Sequence, residues 1–316
     1  MKNRTLLQSV GITLRGMAMG AADVIPGVSG GTIAFITGIY EELIDSLSNI
    51  NLKALKKLKS EGVKSFWNHI NGNFFLALFL GILISVFSLA KLVTYLLETS
   101  PVLIWSFFFG LVLASALLIM KTIRKWSIVT VFALILGTII AGFISSIEVT
   151  ASGGDSWYIM LSGAIAICAM ILPGISGAFI LVLLGAYDIV ITGIKDFDYK
   201  VITLFGIGCI IGLLSFSKLL KYLFNHFKNF VLALLSGFLF GSLLKIWPWK
   251  NKTGEEPIVV HSDGKEDWMM TNVLPESYVG DSQLIGAILL AIVGLAVVLV
   301  LGLVGPKELK NDYNEK

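Results

Sequence analysis

A short motif occurs twice in this chain, and its residue types describe an anion site. Ile25-Pro26-Gly27-Val28-Ser29-Gly30 is matched 147 positions later by Leu172-Pro173-Gly174-Ile175-Ser176-Gly177. Proline stops an incoming helix, because its nitrogen carries no proton and its ring pushes the preceding residue out of the α region. A serine just beyond it is a natural N-cap for an outgoing helix. Gly30, Gly31 and Thr32 then leave backbone N–H groups with little side-chain bulk at the positive end of a helix dipole. Pro26, Gly27, Ser29, Gly30, Gly31 and Thr32, with Pro173, Gly174, Ser176 and Gly177, are therefore candidate binding residues for an anionic group. Arg15 and Asp23 lie in the apolar stretch leading into the first motif, where ionisable side chains are expensive and signal function. Arg15 has the alternative of snorkelling to an interface. Asp23, close to the motif, reads as a cation partner or proton carrier. Lys91 and Lys218 occupy matched positions in matched apolar runs, where snorkelling competes with a role in neutralising a bound anion. Glu41, Glu42 and Asp188, beside Tyr40 and Tyr187, read as interface anchors.

The elements that must position these groups follow from length and polarity. Of the 316 residues, 56% are hydrophobic and only 14% charged, against about 25% charged in soluble domains. With mean hydropathy +0.85, a water-soluble fold is excluded. The alternating pattern of a barrel is absent, so the spans are helices. Long apolar runs cover 74–97, 102–120 and 127–147, then 201–224, 229–247 and 283–304. A second block of matches lies 127 positions apart, pairing Gly81 with Gly208, Lys91 with Lys218, Tyr95 with Tyr222 and Gly110 with Gly237. The expected fold is an all-α polytopic membrane protein of two inverted-topology repeats, each a re-entrant helical hairpin plus three transmembrane helices. Residues 1–150 make the first repeat with its hairpin at 11–45, and 151–316 the second with its hairpin at 158–192. A helix over 11–23 would be about 20 Å long, too short for a hydrocarbon core of about 30 Å, so it turns near the midplane.

Charge placement sets the orientation. Lys2 and Arg4 before the first hairpin and the lysines from Lys53 to Lys64 after it belong on the cytoplasmic side, as do both termini. The acid-rich stretch 255–281 then falls outside. Three crossings per half is an odd number, which inverts the second half relative to the first. Trp247-Pro248-Trp249 reads as an aromatic belt, and the basic linker as a solvated loop with anionic lipid as its alternative partner. The N-terminus imitates a secretory signal, but Gly11, Arg15 and Gly16 interrupt its apolar stretch.

Several function classes find no residues to support them. A net charge of +3 is orientation information rather than a nucleic-acid footprint. Cys168 and Cys209 lie singly inside apolar runs, so neither a disulfide framework nor a cysteine metal site is expected. His69, His226 and His261 have no ligand spacing, and the serines have no His/Asp partners. The expectation is a non-enzyme without metal or cofactor.

Arg15-Gly16-Met17-Ala18-Met19-Gly20-Ala21-Ala22-Asp23, the stretch Pro26 to Thr32, Gly38-Ile39-Tyr40-Glu41 and the second motif together resemble a bacterial membrane family. It was long catalogued as a domain of unknown function and is associated with polyprenyl-phosphate (undecaprenyl phosphate) transport. The resemblance covers essentially the whole chain. It implies a transporter of the cytoplasmic membrane that returns undecaprenyl phosphate, the carrier lipid of cell-wall and surface-polymer synthesis, from the outer to the inner leaflet. Protons or sodium are the coupling ions it allows. Ala178 and Phe179 stand in the second motif where Gly31 and Thr32 stand in the first, so the two cradles are not equivalent. Two other readings stay open. An undecaprenyl-pyrophosphate phosphatase shares the Pro-Gly-x-Ser pattern, but Gly30 and Gly177 replace the arginine that follows its serine. An ion-coupled carrier of a small soluble anion fits the same fold.

Overall fold

The computed structural model describes residues 4–23, 29–146, 155–254, 259–260 and 266–304. The first half runs α1 (Leu6–Asp23), α2 (Gly30–Ile36), α3 (Tyr40–Ser48), α4 (Leu52–Glu61), α5 (Val63–His69), α6 (Gly72–Thr99), α7 (Pro101–Thr122) and α8 (Ile128–Ser146). The second runs α9 (Ser156–Ile171), α10 (Gly177–Leu183), α11 (Tyr187–Lys195), α12 (Tyr199–Ser242), four short strands and α13 (Leu284–Val304). Among the described residues, four helices, α6, α7, α8 and α12, contain stretches long and apolar enough to cross a membrane, and α10 with α11 forms a further apolar pair bent by 111°. The chain is a multi-pass helical membrane protein.

Several boundaries differ from expectation, each for a local reason. α1 begins at Leu6, not residue 11, and its 18 residues reach about 27 Å. The start is fixed by a reciprocal cap: Thr5 N donates to Gln8 Oε1 at 3.0 Å and Gln8 N donates to Thr5 Oγ1 at 3.3 Å. The runs 201–224 and 229–247 are joined in α12, whose 44 residues would span ~66 Å if straight. The helix is broken at Phe227, where φ −134° and ψ 41° leave the helical region. It ends at Ser242, five residues before the expected limit. The basic linker is two short helices rather than a loop, the first capped by Asn51, whose side chain accepts from Lys53 N and Ala54 N. In the 255–281 stretch, β4 (Met269–Asn272) pairs antiparallel with β1 (Lys250–Thr253), and β2 (Val259–Val260) with β3 (Glu266–Asp267). Trp247 and Trp249 hold this hairpin to the helices instead of forming a lipid-facing belt. Their ring N–H groups donate to the carbonyls of Val273 and Ser282, each at 2.9 Å, and Trp249 is buried against Val102 and Ala287.

Helices in lipid gain little from the hydrophobic effect and associate where small residues let backbones approach. Here the approaches repeat. A Cβ on Gly81 of α6 would meet the Thr13 carbonyl of α1 at 2.0 Å, and one on Gly208 of α12 would meet Met160 of α9 at 1.9 Å. The pairs are related by the offsets 127 (81 to 208) and 147 (13 to 160). Between halves, Gly110 of α7 abuts the Ala291 carbonyl of α13, as Gly237 of α12 abuts Leu134 of α8. Each half therefore packs a helix against the other.

Candidate functional site

The two motifs meet in the interior. Pro26 and Gly27 lie outside the described residues, but Ser29, Gly30, Gly31 and Thr32 are all buried. Ser29 caps α2 by accepting from Gly31 N at 3.1 Å, and its hydroxyl faces the carbonyls of Met170 and Leu172, each at 3.3 Å. Thr32 Oγ1 accepts from Gly174 N at 3.0 Å. A Cβ on Gly31 would stand 2.6 Å from the Ile171 carbonyl, so the bare backbone there is what allows the second motif to approach. Residues 142 positions apart are thus joined by a buried hydrogen bond.

The first cradle is filled by the chain itself. Gly30 N donates to Asp23 Oδ1 at 2.6 Å, Gly31 N to Ser29 Oγ, and Thr32 N to the Ser29 carbonyl at 2.9 Å. The α2 N-terminus consequently already holds a carboxylate, the charge its dipole favours.

The second cradle differs. Gly174 turns the chain at φ +82°, a left-handed conformation natural to glycine alone. Pro173, Gly174 and Gly177 are buried, and Ser176 caps α10 by accepting from Phe179 N at 3.4 Å. The N–H groups of Gly177 and Ala178 meet no acceptor among the described residues. Beside this turn lies a narrow cleft lined by Ser145, Gly174, Ser176, Phe179 and Lys245, among others. Lys245 Nζ lies 3.9 Å from the centre of the Phe179 ring. This lysine carries no signal in the sequence, since its match 127 positions earlier is Leu118.

The remaining candidates are dispersed. Arg15 lies eight residues before Asp23 on α1, about 12 Å along the helix, where Glu42 is its charged neighbour. Lys91 and Lys218 are exposed on α6 and α12 and do not line the cleft. The acids of α3 are cross-links rather than interface anchors. Glu42 pairs with Arg4, Asp45 with Lys221 at 3.2 Å, and Glu41 with Lys228 at 2.8 Å. Tyr40 is 2% exposed, its ring against Phe35 and Phe224.

Residues 19–262 match the family described as undecaprenyl phosphate translocase-like. The chain belongs to that family. Two curated relatives agree with the assignment to the undecaprenyl phosphate translocase-like family. The polyprenyl-phosphate transporter of Vibrio cholerae serotype O1 is 45% identical over 293 residues, covering 92% of this chain and 94% of that protein. The polyprenyl-phosphate transporter of Staphylococcus aureus is 31% identical over 256 residues, covering 74% and 85%. No solved structure matches the chain. Members of this family are transporters, and the chain is not an enzyme.

Proposed function

We propose that the chain moves undecaprenyl phosphate between the leaflets of the bacterial cytoplasmic membrane, its phosphate passing through the joined motif turns. The observation that carries this reading is the buried contact between Ser29, Thr32 and the Met170–Gly174 segment. Two helix starts with bare backbone converge there, in the one place where a lipid headgroup needs help. A phosphomonoester carries about −1.5 to −2 charges, costly at the bilayer centre, while its polyprenyl tail stays in lipid throughout.

In this reading the two halves are inverted repeats, α1–α3 and α9–α11 are re-entrant hairpins, and exposure alternates as one half rocks against the other. The recurring glycine contacts across the halves support it. Arg4, Lys221 and Lys228, tied to the acids of α3, share one side with the basic linker, which supports a cytoplasmic N-terminus. Asp23 supplies a coupling device. An anion arriving at Gly30 N must displace or neutralise the carboxylate already there, so uptake of a proton by Asp23 clears the cradle.

Liposomes containing the purified chain test the assignment. Undecaprenyl phosphate loaded in one leaflet should become accessible from the other, and no inorganic phosphate should be released from undecaprenyl pyrophosphate. Uptake of a soluble anion with the lipid unmoved would replace this reading with that of a small-solute carrier.

A further inference from the structure

We propose that α4 and α5 form an interfacial hairpin whose partner is an anionic phospholipid surface, into which Leu52, Leu55 and Val63 insert while the neighbouring lysines meet phosphate headgroups. The inference stands apart from the transport reading, because it needs only that α6 crosses the membrane. Its first support is the make-up of one helix face. Leu52, Leu55, Lys56 and Lys59 stand at i, i+3, i+4 and i+7 on α4 and so share one side of it. All four are exposed, Leu52 by 76% and Leu55 by 53%. The opposite side of α4 is turned inward, with Ala54 buried and Leu58 half-buried. α5 continues the pattern, since Val63 is 70% exposed next to an exposed Lys64.

Placement and charge then select the partner. α5 ends at His69, and the membrane-length apolar stretch of α6 begins at Gly72, so the hairpin joins the protein at the height of the bilayer surface. Trp67 fastens it there. Its Nε1 donates to Asn73 Oδ1 at 2.9 Å, and its ring lies so close to Gly72 that a Cβ on that glycine would meet it at 2.2 Å. Asn71, in the left-handed region at φ +59°, ties the same junction to α3 by donating to Glu42 Oε1 at 2.9 Å and Ser46 Oγ at 3.1 Å. From Lys53 to Lys64 five lysines stand against one acid, Glu61. A second copy of this chain would bring the same lysines and be repelled. A neutral bilayer would accept the leucines and offer the lysines no counter-charge. An anionic leaflet answers both, taking the apolar side chains at the boundary of headgroup and acyl chain while the lysine stems lie along it and their ammonium groups reach phosphates.

The test uses the full chain in a C168A/C209A background, reconstituted in vesicles of phosphatidylcholine alone or of phosphatidylcholine with phosphatidylglycerol. A fluorophore is attached at L55C, on the proposed face, or at S60C, off it, and is quenched by a lipid-borne nitroxide or by aqueous iodide. We expect lipid-borne quenching at position 55 to be at least threefold stronger with phosphatidylglycerol than without it, and at least threefold stronger than at position 60. K53Q/K56Q/K59Q should remove the gain from phosphatidylglycerol, and raised salt should weaken it by screening. Elution profile and melting temperature establish that each variant is folded. Equal quenching at position 55 in the two vesicles overturns the inference, as does a gain that the folded glutamine variant retains. Shielding of position 55 from both quenchers, with cross-linking between chains, gives the face to a second copy and overturns it too. None of these readouts requires lipid movement, so this inference and the transport reading fail separately.

Discussion

The first and second motif turns share a sequence pattern and differ in what occupies them. In the first, Asp23 fills the start of α2 with a carboxylate. In the second, the residue at the equivalent place, 147 positions on, is Met170, whose Cβ would lie 3.0 Å from a Cβ on Gly177. One substitution, acid for thioether, turns a self-filled cradle into one whose Gly177 and Ala178 N–H groups face no acceptor among the described residues. The partner positions diverge in step: Thr32 in the first turn binds Gly174 N, while Phe179 in the second faces Lys245. Two copies of a motif thus differ in what meets their N–H groups: a carboxylate in the first, no acceptor among the described residues in the second. The lesson is that the repeat specifies the backbone, and its few departures specify the roles.

The comparison breaks most completely at Gly174. Valine there would be strained at φ +82° and would bring its Cβ to 2.9 Å from the Phe238 carbonyl, a backbone atom that cannot swing away. A left-handed non-glycine residue costs about 1–3 kcal/mol before that clash is counted. G174V should therefore lower the melting temperature and abolish lipid movement together. A folded G174V with normal transport would show that the second turn need not keep this shape.

Asp23→Asn sharpens the comparison without dismantling it. The amide oxygen can still accept from Gly30 N, so the cap survives while the charge does not. If the carboxylate competes with the incoming phosphate, D23N should bind the monophosphate more tightly, turn over at least tenfold more slowly, and lose the pH dependence of transport. The checks are binding by the folded variant and initial rates across a pH series in liposomes. Unchanged turnover with an unchanged pH profile would reduce Asp23 to a structural cap.

Much of this was legible in the residues, and the gaps have physical causes. Pro173, Gly174 and Ser176 announce a break and a cap locally, and the apolar runs announce helices. The Thr5-x-x-Gln8 pair that starts α1 is a readable capping signal, masked by Gly11, which favours a later start. Tyr40 and the α3 acids sit at spacings that suit an interface equally well. Only packing against Phe224 and α12 makes the tyrosine core and the acids cross-links. Lys245 was hidden for a different reason: it lies outside every repeated position, and its place beside Phe179 depends on where α12 ends.

The smallest expected effect tests the link between the turns. Thr32 is fully buried and its hydroxyl accepts from Gly174 N, so removing that acceptor strands a buried donor. Valine is nearly the same size as threonine, which confines the change to the lost hydrogen bond, worth about 1–3 kcal/mol when a buried partner is left unpaired. T32V should fold with a modestly lowered melting temperature and move lipid several-fold more slowly, because the turns then register less firmly. T32S keeps the hydroxyl and loses only a methyl group, so it should recover most of the rate. If T32S is as slow as T32V, the methyl contact rather than the hydrogen bond joins the two turns. If both are as fast as the unmodified chain, the two cradles work without this bond, and the difference between them must rest on Asp23 alone.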